Sequence, residues 1–395
     1  MIPARTNLAG ELDRLREAHL YRAPRTLASP QGPRPLIDGR RMLAFCSNDY
    51  LGLANHPQVI AALKQGADAY GVGSGAAHLV TGHSVAHQAL EEELADFTGR
   101  ARALLFSSGY LANLGVISAL TGRGDQVFED RLNHASLLDG ARLSRARLRR
   151  YAHADPRALS RMLDALMLNE TGARLIATDG VFSMDGDLAP LPELVPIARR
   201  ADAWLLVDDA HGLGVLGEKG RGSLDHLGLG PEQVPVLVGT LGKALGTAGA
   251  FVAGSRELIE TLIQRARSYI FTTAPPPAIA AATRESLRIA RRESWRRERL
   301  RTLIRRFRAG AAELDLPLLD SATPIQPLIA GTARQALSWS KRLETLGILV
   351  SAIRPPTVPE GSARLRITFS AAHTAEDVDR LLAALSSLRQ EVPED

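Results

Sequence analysis

The feature that most constrains the fold is a repeated alternation of short apolar runs with helical patterns between residues 103 and 253. Each run ends in glycine or polar residues, and most are followed by a segment with helical spacing of apolar side chains. Such an alternation predicts a seven-stranded, mainly parallel sheet covered by helices on both faces. The seven strand candidates are Ala103–Phe106, Val127–Asp130, Arg147–His153, Arg174–Thr178, Trp204–Val207, Val234–Val238 and Gly249–Ala253.

Lys243 follows the sixth of these runs, within the sequence G-T-L-G-K-A-L-G at 239–246. Lysine usually keeps its ammonium fully solvated, so a lysine enclosed by glycines at the end of a strand is unusual. Glycines let a planar group approach the backbone closely, and a desolvated lysine loses its proton more easily and forms a Schiff base with an aldehyde. An exposed lysine in a turn is the alternative that this residue alone would favour.

A second polar cluster, D-D-A-H-G at 208–212, follows the preceding strand candidate. Ligands of open α/β sheets bind at the carboxyl ends of strands, so the two clusters are expected to face one crevice. An acid and a Schiff-base lysine are the pair that pyridoxal phosphate (PLP) requires, because the acid keeps the pyridine nitrogen protonated. Neighbouring strand residues face opposite ways, so only one of Asp208 and Asp209 serves.

A Ser-Ser-Gly turn at 107–109 precedes a predicted helix. Its free amides and the helix dipole favour an anion such as a phosphate, and a simple helix N-cap is the alternative.

Two motif matches are rejected. The G-x-G-x-x-G match at 212–217 is not followed by a helix, and Gly242-Lys243 lacks the Ser or Thr of a P-loop. Histidines and acids show no recognised metal-ligand spacing, so no metal is expected.

The composition restricts the class of protein and its predicted location in the cell. The chain of 395 residues has 45% hydrophobic and 23% charged residues and one cysteine, Cys46. These values are ordinary for a soluble globular protein, exclude an internal disulfide framework and predict a cytoplasmic location. No apolar run approaches a membrane span and no signal region is recognised. The arginine-rich segment 284–308 is interpreted as an amphipathic helix, with Leu300, Leu303, Ile304 and Phe307 on its apolar face, rather than as a nucleic-acid site.

Three regions are predicted: residues 1–50 as an N-terminal helical arm and strand, 51–282 as the large domain, and 283–395 as a small α+β domain. In the last region a helix at 336–346 precedes strands at 348–353 and 363–369, and Thr374 is predicted to cap a final helix. Arg354, held in a proline-rich turn, suits a substrate carboxylate, although an arginine in a surface loop is the commoner case.

Taken together, the motifs resemble those of the α-oxoamine synthases, PLP enzymes of fold type I. The resemblance covers residues from about Leu12 to the C-terminus and predicts a large PLP-binding domain with a small C-terminal α+β domain. One position departs from the family pattern: His78 stands where an arginine is common. The motifs are S-N-D-Y-L-G-L (47–53), S-S-G-Y (107–110), N-H-A-S (133–136), D-G-V-F-S-M-D-G (179–186), D-D-A-H-G (208–212), T-L-G-K (240–243) and I-R-P-P-T-V-P (353–359).

The resemblance implies roles for particular residues. Lys243 would bind PLP covalently, Asp208 would pair with its ring nitrogen, His211 would bond its ring hydroxyl and His134 would stack on the ring, unless His134 is a structural histidine. The phosphate would meet Gly109, Tyr110 and Thr240, with Thr272 or Thr273 from a second subunit, and Ser183 would lie near the ring oxygen. Catalysis would rest on Lys243, His134, Asp208 and His211. Substrate would be bound by Arg22, Asn48, His134, Arg354 and Thr357.

The same resemblance implies a decarboxylative condensation of L-alanine with a pimeloyl thioester, carried by coenzyme A or by an acyl carrier protein. It also implies a homodimer and neither a nucleic-acid nor a membrane partner. Alternatives remain open at this point. They are 2-amino-3-ketobutyrate CoA ligase, 5-aminolevulinate synthase and serine palmitoyltransferase activities, and, in another reaction class, an aminotransferase. A non-enzymatic, nucleic-acid-binding interpretation rests on residues 284–308 alone.

Overall fold

The computed structural model describes residues 7–167 and 172–388. The chain forms two compact units. The larger contains residues 49–183 and 187–298, and the smaller contains residues 1–48, 184–186 and 299–395. The smaller unit thus joins the N-terminal region to the C-terminal region. The predicted domain limits at residues 50/51 and 282/283 stay a prediction.

The strands and helices follow one another with few long connections. The strands are β1 (Leu36–Ile37), β2 (Arg40–Arg41), β3 (Leu43–Ala44), β4 (Arg102–Phe106), β5 (Gln126–Asp130), β6 (Arg147–Tyr151), β7 (Arg174–Asp179), β8 (Ala203–Asp208), β9 (Val236–Thr240), β10 (Ala250–Gly254), β11 (Ile325–Gly331), β12 (Ile348–Leu349), β13 (Ser351–Ile353) and β14 (Ala363–Thr368).

The helices are α1 (Leu8–Glu17), α2 (Pro57–Tyr70), α3 (Val85–Thr98), α4 (Gly109–Leu120), α5 (Ala135–Ser144), α6 (Pro156–Met167), α7 (Leu191–Arg200), α8 (Ser223–Leu227), α9 (Arg256–Arg265), α10 (Arg267–Ile270), α11 (Pro277–Arg292), α12 (Trp295–Glu313), α13 (Ala333–Thr345) and α14 (Ala375–Leu388). A short π-helix, His78–Gly82, precedes α3.

The larger unit is built on the predicted seven-stranded sheet, in the order β4-β10-β9-β8-β7-β5-β6. The pairs among β5 to β9 are parallel, whereas β10 runs antiparallel to both β4 and β9. Six of the seven strands are buried along most of their length because helices cover both faces of the sheet, whereas the edge strand β6 is buried only at Tyr151. The prediction of a mainly parallel seven-stranded sheet is therefore confirmed.

The smaller unit contains an antiparallel sheet in the order β11-β14-β13, and β12 pairs in parallel with β3. The predicted cap of the last helix is present, because the amide of Asp377 donates to Thr374 Oγ1 and the amide of Thr374 donates to Asp377 Oδ2. The predicted strand at 363–369 is present as β14, and all six of its residues are buried.

The arginine-rich segment is two helices rather than the single predicted one, because α11 ends at Arg292 and α12 begins at Trp295. The predicted apolar face of α12 is buried, as expected for an amphipathic helix (Leu300, Leu303, Ile304 and Phe307). Several arginines of α11 form ion pairs within the larger unit, including Arg284 with Glu93 and Arg291 with Asp96. Among the described residues, no helix is both long and apolar enough to cross a membrane.

Candidate active site

Lys243 lies in the tight turn that follows β9, as the sequence predicts. Its Nζ is 3.0 Å from Nε2 of His211, and Nδ1 of the same imidazole is 2.7 Å from the hydroxyl of Tyr50. Tyr50 is fully buried and His211 nearly so. The three side chains therefore form a continuous hydrogen-bonded chain that ends at the lysine amine.

Asp208 and Asp209 are neighbours in sequence, so their side chains point to opposite faces of the sheet, and each has its own hydrogen-bond partners. The Asp208 carboxylate accepts hydrogen bonds from Nδ2 of Asn113 at 2.6 Å and from the amide of Ala210 at 3.0 Å. Asp209 instead accepts the amide of Ser223 at 2.7 Å, and burial raises its pKa to about 7. A Cβ on residue 222 would lie 1.8 Å from Asp209 Oδ2, which explains why this position is a glycine.

Two further polar residues, Asp179 and His134, lie near Asp208. Its neighbour across the sheet, Asp179, is buried, and burial together with the charge of Asp208 raises the Asp179 pKa well above its ordinary value. The Asp179 carboxylate accepts the backbone amide of His134 at 2.7 Å. Burial lowers the pKa of the His134 imidazole, although the charge of Asp208 opposes the shift. The bond to Asp179 holds the backbone of His134, and its imidazole Nδ1 lies 2.7 Å from the hydroxyl of Ser136.

The predicted phosphate turn opens α4. Ser108 Oγ accepts the amide of Leu111 at 3.2 Å, so the N-cap alternative is correct for this side chain. Capping does not exclude anion binding, because the amides of the first turn still point outward. A Cβ on Gly109 would lie 2.8 Å from Thr240 Cγ2, so these two residues are in close contact. The phenol of Tyr110 donates to Asp139.

The predicted substrate residues Arg22, Asn48, Arg354 and Thr357 all belong to the smaller unit. Arg22 Nη2 donates to Thr357 Oγ1 at 3.3 Å. The guanidinium of Arg354 donates to the backbone carbonyls of His19 and, at 3.4 Å, of Tyr21. Arg354 thus fastens the segment that follows α1, a structural contact that the sequence does not reveal.

Asn48 has a neighbour that the sequence analysis missed. Its Oδ1 accepts a hydrogen bond at 3.2 Å from Arg366, whose side chain is buried on β14. A charged residue within an apolar strand was the available signal, because buried arginine is rare unless it is paired. Tyr50 and Asn113 were also missed as contributors, since their partners lie 161 and 95 residues away in sequence.

The donor set of the larger unit fits PLP. An amine lies beside a buried imidazole, a buried carboxylate is available for a protonated ring nitrogen, and a helix N-terminus with a close glycine suits a phosphate. Asn113 Oδ1, which is buried, has no hydrogen-bond partner in the described part of the chain. Ser183 lies in the turn after β7, and its contact with the ring oxygen stays a prediction.

Comparison with known proteins agrees with this geometry. The sequence matches the family described as Aminotransferase class I and II over residues 40–385, and the chain belongs to that family. Solved structures of the same fold include Sphingomonas wittichii serine palmitoyltransferase, with 33% identity, a TM-score of 0.92 and 98% of each chain covered. The S. paucimobilis serine palmitoyltransferase, solved with PLP bound, has 31% identity and a TM-score of 0.91, covering 97% of this chain and 96% of that one.

Curated relatives narrow the assignment. The 8-amino-7-oxononanoate synthase of Methylococcus capsulatus is 65% identical over 96% of this chain and 97% of its own length. The enzyme of the same name from Pseudomonas putida strain KT2440 is 62% identical, with 96% of both chains covered. The chain is a member of the 8-amino-7-oxononanoate synthases. Its PLP cofactor, its fold type and its resemblance to the α-oxoamine synthases are thereby confirmed as predicted.

Proposed function

We propose that this chain catalyses the condensation of L-alanine with a pimeloyl thioester, giving 8-amino-7-oxononanoate, CO2 and the free thiol carrier, in biotin biosynthesis. The names of its relatives support the assignment. The single structural observation that carries it is the chain from Tyr50 through His211 to the Lys243 amine. Such a chain suits a lysine that exchanges a proton with the substrate.

In this proposal Lys243 removes the proton from Cα of alanine and later returns one to the same carbon. PLP supplies the electron sink that receives the electron pair left by the broken Cα–H bond. When Tyr50 donates to Nδ1 of His211, the ring proton lies on Nε2 and points at Nζ, which accepts it only as a neutral amine. In that arrangement the amine is in the form that can accept the proton of Cα.

The remaining bond changes need orientation more than acid–base chemistry. The alanine Cα bonds to the thioester carbonyl carbon, the thiol leaves, and the carboxylate departs as CO2. A guanidinium that grips the carboxylate fixes which Cα bond breaks. We assign this role to Arg366, supported by its burial and its contact with Asn48, in preference to Arg354, whose guanidinium contacts backbone carbonyls.

We further propose that the protein works as a cytoplasmic homodimer, with CoA or acyl carrier protein as the thiol carrier. Four apolar side chains of the larger unit support dimerisation, because Val72, Val80, Val85 and Phe271 are 69 to 86% exposed. Sedimentation analysis tests it, and a Val80→Glu variant is expected to shift the protein toward monomer. A wild-type protein that sediments as a monomer would refute the dimer.

The reaction is tested with a panel of amino acids and acyl thioesters, by measuring thiol release and product mass. Release of free thiol with L-alanine and pimeloyl-CoA or pimeloyl-acyl carrier protein, with an 8-amino-7-oxononanoate product, is the expected result. Preference for glycine or serine would indicate a sister synthase. Amino-group transfer to a keto acid without thiol release would indicate an aminotransferase.

A further inference from the structure

Three histidines come together in the larger unit at some distance in sequence from the PLP residues. His78 lies in the short π-helix, His83 follows it, and His87 lies in the first turn of α3. One ring nitrogen of each lies within 4.8 Å of one ring nitrogen of each of the others. The sequence predicts no metal site because this spacing matches no common motif, yet the local fold brings the three rings together.

The tautomer of His87 follows from its hydrogen bonds. Its Nε2 lies 2.8 Å from the carbonyl oxygen of Pro275, so the ring proton must be on that nitrogen. The lone pair is then on Nδ1, which accepts the backbone amide of Ser84 at 3.0 Å. A backbone carbonyl that fixes the outer nitrogen in this way is the usual support of a metal-binding histidine.

The other two rings share one proton. Nδ1 of His78 and Nδ1 of His83 are 2.8 Å apart, so one must donate to the other. We place the proton of His83 on Nε2, the nitrogen that faces the buried carboxyl of Glu91 at 4.0 Å, a separation too long for a hydrogen bond. Nδ1 of His83 then accepts from His78, and the lone pair of His78 is on Nε2. This atom is buried and has no hydrogen-bond partner among the described residues.

Each imidazole therefore has one lone pair. Nε2 of His78 has no hydrogen-bond partner among the described residues, whereas Nδ1 of His83 and Nδ1 of His87 accept hydrogen bonds that a bound ion would replace. His78 is only 7% exposed and His87 is fully buried, so both rings are strongly desolvated.

We propose that His78, His83 and His87 form a binding site for a divalent transition-metal ion of the zinc class. Three imidazoles with a solvent molecule in the fourth position satisfy the tetrahedral preference of zinc. The ligand nitrogens of a tetrahedral zinc ion lie about 3.3 Å apart, and the three rings place theirs within 4.8 Å of one another, so small movements of the rings would complete the site. The ion would tie the π-helix to α3. Through Pro275 it would also stiffen the segment that contains Thr273, which bridges to Ala77.

The test uses tag-free, PLP-loaded protein that has been desalted to remove unbound PLP. Cobalt is titrated first because a tetrahedral cobalt site gives a strong visible absorption, and zinc is then added to displace it. We expect one ion per chain, and a rise in Tm when zinc is bound. A wild-type protein that binds no ion, or that gives no tetrahedral cobalt spectrum, would overturn the proposal.

Variants identify the ligands. His83→Gln changes a ring that is only partly buried, so the fold is expected to survive, and His78→Asn removes the unpartnered nitrogen. Both are expected to lower cobalt affinity at least tenfold while the PLP absorbance stays unchanged. His226→Gln, at an exposed position in α8, is the matched control and is expected to bind like wild type. Equal affinity in His83→Gln and His226→Gln would show that the ion binds elsewhere.

Discussion

His211 and His153 of the larger unit both have two ring nitrogens engaged in hydrogen bonds, but the partners of the two rings differ in charge. His211 lies between the hydroxyl of Tyr50 and the amine of Lys243, at 2.7 and 3.0 Å. Neither of these two partners is an acid. An imidazole placed between a hydroxyl and an amine can pass a proton along the chain.

His153 lies between two carboxylates instead, each 2.9 Å from a ring nitrogen: Asp130 on one side and Asp187 on the other. Burial alone would lower its pKa, but the two acids outweigh burial and raise the pKa to about 9. This ring is a fixed cation at neutral pH that joins the end of β5 to the loop after β7. The hydrogen-bond partners of a histidine, not the residue type, therefore distinguish a histidine that directs a proton from one with a structural role.

The largest expected effect on activity comes from removing Lys243, the amine at the end of the hydrogen-bonded chain through His211. Lys243→Ala deletes both the covalent attachment of PLP and the proposed base, so kcat is expected to fall by at least about 10³-fold. The measurement is thiol release with L-alanine and pimeloyl-CoA. A soluble, PLP-binding variant that sustains multiple turnovers would disprove the catalytic role of the lysine.

A smaller loss is expected when the middle of that chain is changed. His211→Gln keeps a polar group but not the bridging imidazole, so kcat is expected to fall about 10- to 100-fold through misplacement of the amine. Tyr50→Phe is expected to have a smaller effect of the same kind and to shift the pH profile of kcat, because it removes the group that sets the tautomer. If both variants keep wild-type pH profiles, the chain has no role in proton transfer.

The same contrast between a functional and a structural group applies to two arginines of the smaller unit. Arg366→Lys is expected to raise the KM for alanine about 10-fold or more, because lysine cannot reproduce bidentate binding of a carboxylate. Arg354→Lys, the matched control, is expected to change that KM less than about 3-fold. The reverse ranking would assign the carboxylate to Arg354, as the sequence predicts.

The sequence predicts those features that depend on local pattern. The strands of the larger unit could be predicted because their apolar runs are buried on both faces, and the positions of Lys243 and Asp208 follow because strand ends carry the site. Arg366 was not predicted, although it is a charged residue within an apolar strand, because that signal shows neither its partner nor how the rest of its unit packs around β14. The break between α11 and α12 was missed because charged residues on both sides have helical propensity.

The smallest expected effect is on stability, and it distinguishes His153 from His211. A histidine whose pKa is raised on folding contributes stability that is fully present below its unfolded pKa of about 6.5, and that is lost as the pH rises through about 9. His153→Gln is therefore expected to lower the stability of the holoenzyme by about 1–3 kcal/mol at pH 6, and much less at pH 10. The check is Tm across this range, with His226→Gln as control. Because Gln keeps a polar contact but never a charge, a Tm deficit independent of pH would show that His153 acts by packing rather than as a cation.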